Sequence, residues 1–114
     1  MSDSAKDRRK HPRFEINQIV KISLLKETFF NAESVNISEG GILCKSRYEA
    51  EPLSQIFIMF DLFLKDKTYS IKSDGVVVHC DRDSDGLFLI GIQFVDIDGE
   101  DRDKIREFLE ENRE

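Results

Sequence analysis

The sequence has no tryptophan and only two cysteines, two prolines and two histidines. Two cysteines are too few for the disulfide framework of a small secreted scaffold. Cys44 and Cys80 each sit in an apolar, strand-like run. That predicts two reduced thiols in the interior of a cytoplasmic protein, although the count alone leaves a disulfide open. The histidines, His11 and His79, show neither CxxC nor HExxH spacing, so neither a metal nor a cofactor is expected. No apolar run approaches the roughly 18–20 residues that a membrane span needs. The opening Met1-Ser2-Asp3-Ser4-Ala5-Lys6-Asp7 has no apolar core and does not read as a secretory signal. A glycine-rich phosphate loop ending in Lys-Ser or Lys-Thr is absent. So is any visible set of nucleophile, base and orienting group, which argues against an enzyme.

Positive charge is also scarce. The formal net charge is -6, which argues against broad binding to DNA or RNA. The charge is unevenly placed, however. Residues 1–13 carry five Lys/Arg against two Asp, whereas residues 96–114 carry nine Asp/Glu against four Lys/Arg. The basic N-terminal patch suits one small anionic ligand.

What is present is enough apolar residue for one core: 39% of 114 residues, nine of them Phe. From Asn17 onward the pattern is that of short strands. Val20, Ile22 and Leu24 alternate with Lys21 and Ser23, and Lys26-Glu27 can turn the chain. Phe30, Ala32 and Ser34 then share one face of a second strand, with Phe29, Glu33, Val35 and Ile37 nearer the other. Gly40-Gly41 breaks the run, and Ile42 to Ser46 forms a third strand. Ile56 to Leu64 is nearly all apolar, as in a strand buried on both sides; a buried helix turn has the same pattern. After Lys65-Asp66-Lys67, Tyr69, Ile71 and Ser73 alternate again. Gly75 marks a candidate bulge, and Val76-Val77-Val78 continues the strand. Asp81 to Gly86 reads as a hairpin loop, and Leu87 to Val95 as the last strand. Ile97, Ile105, Phe108 and Leu109 then fit one helical stripe from about residue 99 to 111, with Asp98 as a candidate cap. Six strands and a helix predict a mainly β fold, a six-stranded antiparallel β-barrel with a C-terminal α-helix. The single domain divides into a flexible basic arm over 1–15, a barrel over 16–96 and a helix over 97–114. The helix is expected to lie on the barrel, cover one mouth or pair with another copy.

Two stretches carry candidate chemistry. Arg8-Arg9-Lys10-His11-Pro12-Arg13 is a knot of fixed charge. Pro12 biases His11 away from helical backbone, so the knot presents its guanidinium groups from an extended or turning segment. Each planar, forked guanidinium matches a phosphate or the O6/N7 edge of guanine. The second stretch, Asn36-Ile37-Ser38-Glu39-Gly40-Gly41, reads either as a turn or as a polar ledge with exposed backbone N–H groups. A third run, Asp81-x-Asp83-x-Asp85-Gly86, imitates the start of a calcium loop. The twelfth position, where a bidentate Glu belongs, is Ile92, so a solvated hairpin turn is the better account. His79 and Cys80, as strand neighbours, point to opposite faces and make a poor catalytic pair.

The order RxxxR, then (D/N)xSxxG some 20–30 residues later, resembles the PilZ domain, a bacterial receptor module for cyclic di-GMP. Here the pattern is filled by Arg9 to Arg13 and by Asn36 to Gly41. Gly75-Val76-Val77-Val78 and Gly91-Ile92-Gln93-Phe94 resemble the family's late strand pair. The resemblance implies a six-stranded barrel and a nucleotide site without catalysis. Arg9 and Arg13 would grip phosphates and guanine edges, and Asn36 and Ser38 would hydrogen-bond the ligand. Gly41, with Gly40, would let the backbone approach. Arg8, just before the motif, implies two intercalated ligands, and Lys10 and His79 are peripheral contacts. The expected partners are cyclic di-GMP and a downstream protein. The main rival is a PilZ-fold interaction module that binds no nucleotide; a barrel that binds single-stranded nucleic acid fits the negative charge less well.

Overall fold

A computed structural model describes residues 19–23 and 29–112. Among them are six strands: β1 (Ile19–Ser23), β2 (Phe29–Ile37), β3 (Gly41–Ser46), β4 (Gln55–Leu64), β5 (Lys67–Arg82) and β6 (Phe88–Val95). One helix follows, α1 (Gly99–Glu111). All pairings are antiparallel, and the strands close into a barrel in the order β1-β2-β3-β6-β5-β4. Closure leaves no strand edge without a partner. Leu24 and the Lys26-Glu27 turn lie outside the described residues.

Alternation decides which side chains form the core. Val20 and Ile22 of β1, Ile42 and Cys44 of β3, and Ile90, Ile92 and Phe94 of β6 all point inward and are buried. Each such aliphatic side chain contributes roughly 1.5–3 kcal/mol through burial. The continuous apolar run of β4 follows the same rule. Ile56, Ile58, Phe60, Leu62 and Leu64 are buried, whereas Asp61 and Phe63 face out. The strand is therefore buried on one face only, which corrects the two-sided expectation. Its outer apolar residues are half-buried or exposed: Phe57 packs edge-on to Phe29, and Phe63 is 70% exposed.

Two bulges break the alternation, and neither is at Gly75. The β2–β3 register shifts between Ser34 and Asn36, which makes Val35 the extra residue. Beyond it the parity of β2 reverses, so Ile37 turns inward with 0% exposure instead of sharing the face of Glu33. The β5–β6 register shifts between Val77 and His79, with Val78 extra. Gly75 sits in regular pairing opposite Ile56 and Phe94. It is glycine because a Cβ there would lie 2.8 Å from Ile92 Cγ2 and 3.1 Å from the Gln93 carbonyl oxygen.

The β4–β5 hairpin closes through Lys65 and Asp66, both at positive φ, between the paired Leu64 and Lys67. Two left-handed residues match the twist of the strands. The β5 strand runs to Arg82, so the following loop is shorter than Asp81–Gly86. It closes with Gly86 N–H donating to the Asp83 carbonyl (3.1 Å) and Asp83 N–H to the Leu87 carbonyl (2.7 Å).

The helix α1 packs on β4 and β5, with Ile105 and Phe108 joining the barrel's core. Lys104 Nζ lies over the Tyr69 ring at 4.5 Å, and Asp101 Oδ2 accepts from the Lys72 N–H at 3.4 Å. Asp98 precedes the helix but makes no side-chain cap; its backbone carbonyl accepts the Arg102 N–H at 2.9 Å. Glu100 and Asp101 place negative charge in the first turn, where the helix dipole favours it.

Candidate functional site

The β2–β3 connection is a tight turn. Ser38 N–H donates to the Gly41 carbonyl at 2.9 Å, and Ser38 Oγ donates to the same oxygen at 3.4 Å. The turn is stitched to β6 by the Phe94 N–H, which donates to the Gly40 carbonyl at 2.9 Å. Gly41 is where two backbones touch. A Cβ there would fall inside the contact distance of the Ile92 carbonyl oxygen and 3.3 Å from Gln93 Cα. No other residue allows β3 to start this close to β6.

Beside this turn, on the outer surface of β2, β3, β5 and β6, lies an open cleft of about 180 Å³. Asn36, Ser38, Gly41, His79, Gly91 and Gln93 line it, among others. The Val78 bulge sets the position of His79. Its imidazole lies on Gly91: a Cβ on that glycine would be 2.7 Å from His79 Cδ2, 2.8 Å from Cε1 and closer still to Nε2. His79 Nδ1 is 3.3 Å from Asp81 Oδ2, and the His79 side chain is 51% exposed. The ring therefore rests on the sheet while half of its surface remains accessible. Such a ring can stack on a planar base.

Among the described residues, the lining contains neither Lys or Arg nor Asp or Glu. It offers amides, a hydroxyl, a flat ring and backbone. These groups select a hydrogen-bonding ligand but supply no counter-charge for a phosphate. Glu39, the carboxylate of the turn, is covered by Arg106 of α1: Nη2 is 2.8 Å and Nε 3.1 Å from Glu39 Oε2. That bonding raises the Arg106 pKa above its ordinary value. A wider groove of about 410 Å³, bounded by Leu53, Phe57, Asp74, Val95 and Asp96 among others, holds none of the described motif residues.

Of the residues singled out in the sequence, Asn36, Ser38, Gly41 and His79 meet in this one cleft. Arg8, Arg9, Lys10 and Arg13 lie outside the described residues. Sequence reasoning missed the roles of Gly91, Gln93 and the Glu39–Arg106 pair. Gly91 had a signal. It is the outward-facing position between the inward Ile90 and Ile92, where a side chain costs nothing unless something already lies there. Arg106 had none, because its partner is 67 residues away.

The remaining candidates are accounted for locally. Asp83 and Asp85 hold the Lys45 ammonium, each at 3.0 Å. The Lys45 bond holds Asp83 below the ordinary carboxylate range; the Leu87 N–H and then Lys45 do the same for Asp85. Both acids raise the Lys45 pKa. Among the described residues, no group of three or more His, Cys, Asp or Glu is placed to hold a metal ion. Both cysteines are free thiols. Burial pushes the Cys44 thiol up to about 12. Cys80 is only half-buried against the core rather than fully interior. None of the described helices is long and apolar enough to cross a membrane.

The PilZ domain matches residues 7–111 of the sequence. No curated protein sequence matches it. Several solved structures share the fold. The inhibitor of motility MotI/DgrA of Bacillus subtilis superposes with a TM-score of 0.77 at 21% identity, over 93% of this chain and 54% of that one. MrkH of K. pneumonia, in complex with c-di-GMP, gives 0.68 at 18% identity, over 91% of this chain and 52% of that one. The PilZ domain of YcgR from Escherichia coli, with c-di-GMP, gives 0.67 at 10% identity, over 91% and 90%. The chain thus spans about half the length of MotI/DgrA and MrkH.

Proposed function

This chain belongs to the PilZ domain family, and we propose that it is a receptor for cyclic di-GMP. It would act by binding alone, with no bond made or broken, and relay the signal to a downstream protein in the cytoplasm. The observation that carries this reading is the convergence of Asn36, Ser38, Gly41 and His79 on one cleft. Two similar structures, those of MrkH and the YcgR PilZ domain, were solved with the same nucleotide.

The cleft supplies the neutral half of a nucleotide site. The missing counter-charge comes from Arg9 and Arg13. Ile19, at the start of β1, lies opposite Glu33, three residues before Asn36. Arg13 is six residues before Ile19, a reach of at most about 20 Å, and Arg9 is ten residues before it, at most about 35 Å. Both spans suffice to reach the cleft. The two guanidinium forks take phosphate oxygens and guanine O6/N7 edges. Asn36 takes the guanine amide edge, Ser38 donates to the ligand or braces the turn, and the His79 ring stacks on a base. Arg8 supplies a further cation for a second, intercalated cyclic di-GMP, and Lys10 adds longer-range attraction. Fixing the motif on the ligand costs roughly 1–2 kcal/mol per residue. Charge-assisted bonds of roughly 1.5–3 kcal/mol each offset that cost.

The test is a chemical-shift titration of cyclic di-GMP into labelled protein. Saturable shifts at the Asn36, Ser38 and Gly41 amides and the His79 ring are expected. Saturation with none of these signals moving would mean that the nucleotide binds elsewhere. No shift anywhere would leave a PilZ-fold interaction module.

A further inference from the structure

The turn that forms one wall of the cleft is tied to the C-terminal helix by an ion pair. Glu39 lies between Ser38 and Gly40, which both line the cleft. Arg106 spans from α1 to reach it with two donors on one carboxylate oxygen, 2.8 and 3.1 Å away. Arg106 Nη1 also lies 3.3 Å from Asp103 Oδ1, one turn earlier on the helix. The neighbouring Ile105 is fully buried and Phe108 nearly so, which fixes the helix and the root of Arg106 on the barrel. The guanidinium is therefore delivered to the turn by a packed element.

The charge has a consequence for any anionic occupant. Among the residues from Asn36 to Gly41, Glu39 is the one carboxylate, and it lies at the rim of a cleft whose described lining includes no Lys or Arg. Without Arg106 its charge repels a phosphate. With Arg106 in place the Glu39 charge is paired, and the turn is braced from outside.

We propose that Arg106 is a positioning residue of the cleft, through which α1 and an anionic ligand stabilise one another. The ligand part rests on the receptor reading above. Binding linkage fixes the sign. If Arg106 on Glu39 favours the bound ligand, the ligand favours Arg106 on Glu39. Occupancy thus tightens the docking of α1, and the helix reports the state of the cleft to whatever contacts its outer face.

The experiment compares the parent with Arg106→Gln, Glu39→Gln and the double variant. All four are measured by calorimetry with cyclic di-GMP and by amide hydrogen exchange with and without it. Both side chains are about half exposed, so all four proteins should fold with similar melting temperatures. Arg106→Gln should weaken binding about two- to fivefold, the scale of an exposed ion pair. Glu39→Gln should bind as well as the parent or better, and the double variant should return to within about twofold of it. The Arg106→Gln loss should shrink in 0.5 M salt. Without ligand, Arg106→Gln should speed exchange at Gly40 and Gly41. With ligand, exchange at Ile105 to Leu109 should slow in the parent and not in the double variant. An unchanged affinity in Arg106→Gln, or α1 exchange that ligand leaves unchanged or quickens, overturns the coupling. If the parent does not bind cyclic di-GMP, the receptor reading falls and the ligand coupling with it. The ligand-free exchange at Gly40 and Gly41 then decides the bracing role by itself.

Discussion

Replacing Gly41 by alanine tests how the cleft wall is built. The added Cβ would meet the Ile92 carbonyl oxygen head-on, with Gln93 Cα at 3.3 Å and Ile92 C also at 3.3 Å. All three are backbone atoms of β6, so no side chain can move aside. A carbon atom keeps about 3 Å or more from such an oxygen, and β3 must separate from β6 at its first residue. The overpacking costs roughly 1–3 kcal/mol. Two backbone bonds are strained with it: Phe94 N–H to the Gly40 carbonyl and Ser38 N–H to the Gly41 carbonyl, both 2.9 Å. At roughly 0.5–1.5 kcal/mol each, they bring the expected loss to about 2–6 kcal/mol, a large part of the stability of an ordinary domain. Urea denaturation should show the midpoint falling with the slope unchanged. Gly91→Ala is the control. The three atoms nearest its Cβ all belong to the His79 ring, which is half exposed and can rotate away, so the cost should stay below about 1 kcal/mol. The His79 ring signals should nevertheless shift. A Gly41→Ala protein within about 0.5 kcal/mol of the parent would refute the close-approach argument, as would equal losses from both substitutions.

Three further outcomes follow from the same geometry. Ile105→Ala removes a fully buried side chain that fixes α1 and should cost about 2–4 kcal/mol in denaturant melts, with exchange along α1 accelerated most. Under native conditions at pH 8, a thiol reagent should label Cys80 readily and Cys44 only on unfolding. Cys44 stays protonated in the fold to about pH 12, so its contribution is complete below about pH 9 and is lost between pH 9 and about 12 as the unfolded thiol ionises; Cys44→Ala should flatten that decline. Lys45→Gln should raise the Asp83 and Asp85 pKa values in a carboxyl NMR titration, Asp83 more, because the Leu87 N–H still holds Asp85 down. The support from these two acids is present above the ordinary carboxylate pKa of about 3.9 and lost as pH falls through their depressed folded values.

The sequence displayed the barrel through its period-two alternation. Of the candidate site it displayed Asn36, Ser38 and Gly41, which line one cleft; the arginine motif lies outside the described residues. The sequence misled where local pattern and tertiary geometry differ. Ile37 looked like an outer residue because nothing in Ser34-Val35-Asn36 announces a bulge. Gly75 looked like a bulge because a strand glycine can serve either a kink or a close approach, and only the position of Ile92 decides between them. The apolar outer face of β4 suggested burial on both sides, yet Phe57 and Met59 are merely half covered and Phe63 is open. Asp98 had the right residue type for a cap, but its side chain makes no such bond. The Glu39–Arg106 pair could not be read at all, since two charged residues 67 positions apart carry no mark of their contact.

In the proposed receptor, the arginine motif and the cleft bind cyclic di-GMP together. The most direct test of this is a calorimetric titration of cyclic di-GMP into the parent and into Arg9→Ala/Arg13→Ala. Saturable binding by the parent is expected, with two nucleotides per chain if Arg8 acts as proposed, and loss of binding in a double variant that melts like the parent. Heat of binding that is unchanged in the double variant would contradict it, as would a folded parent that gives none at several temperatures.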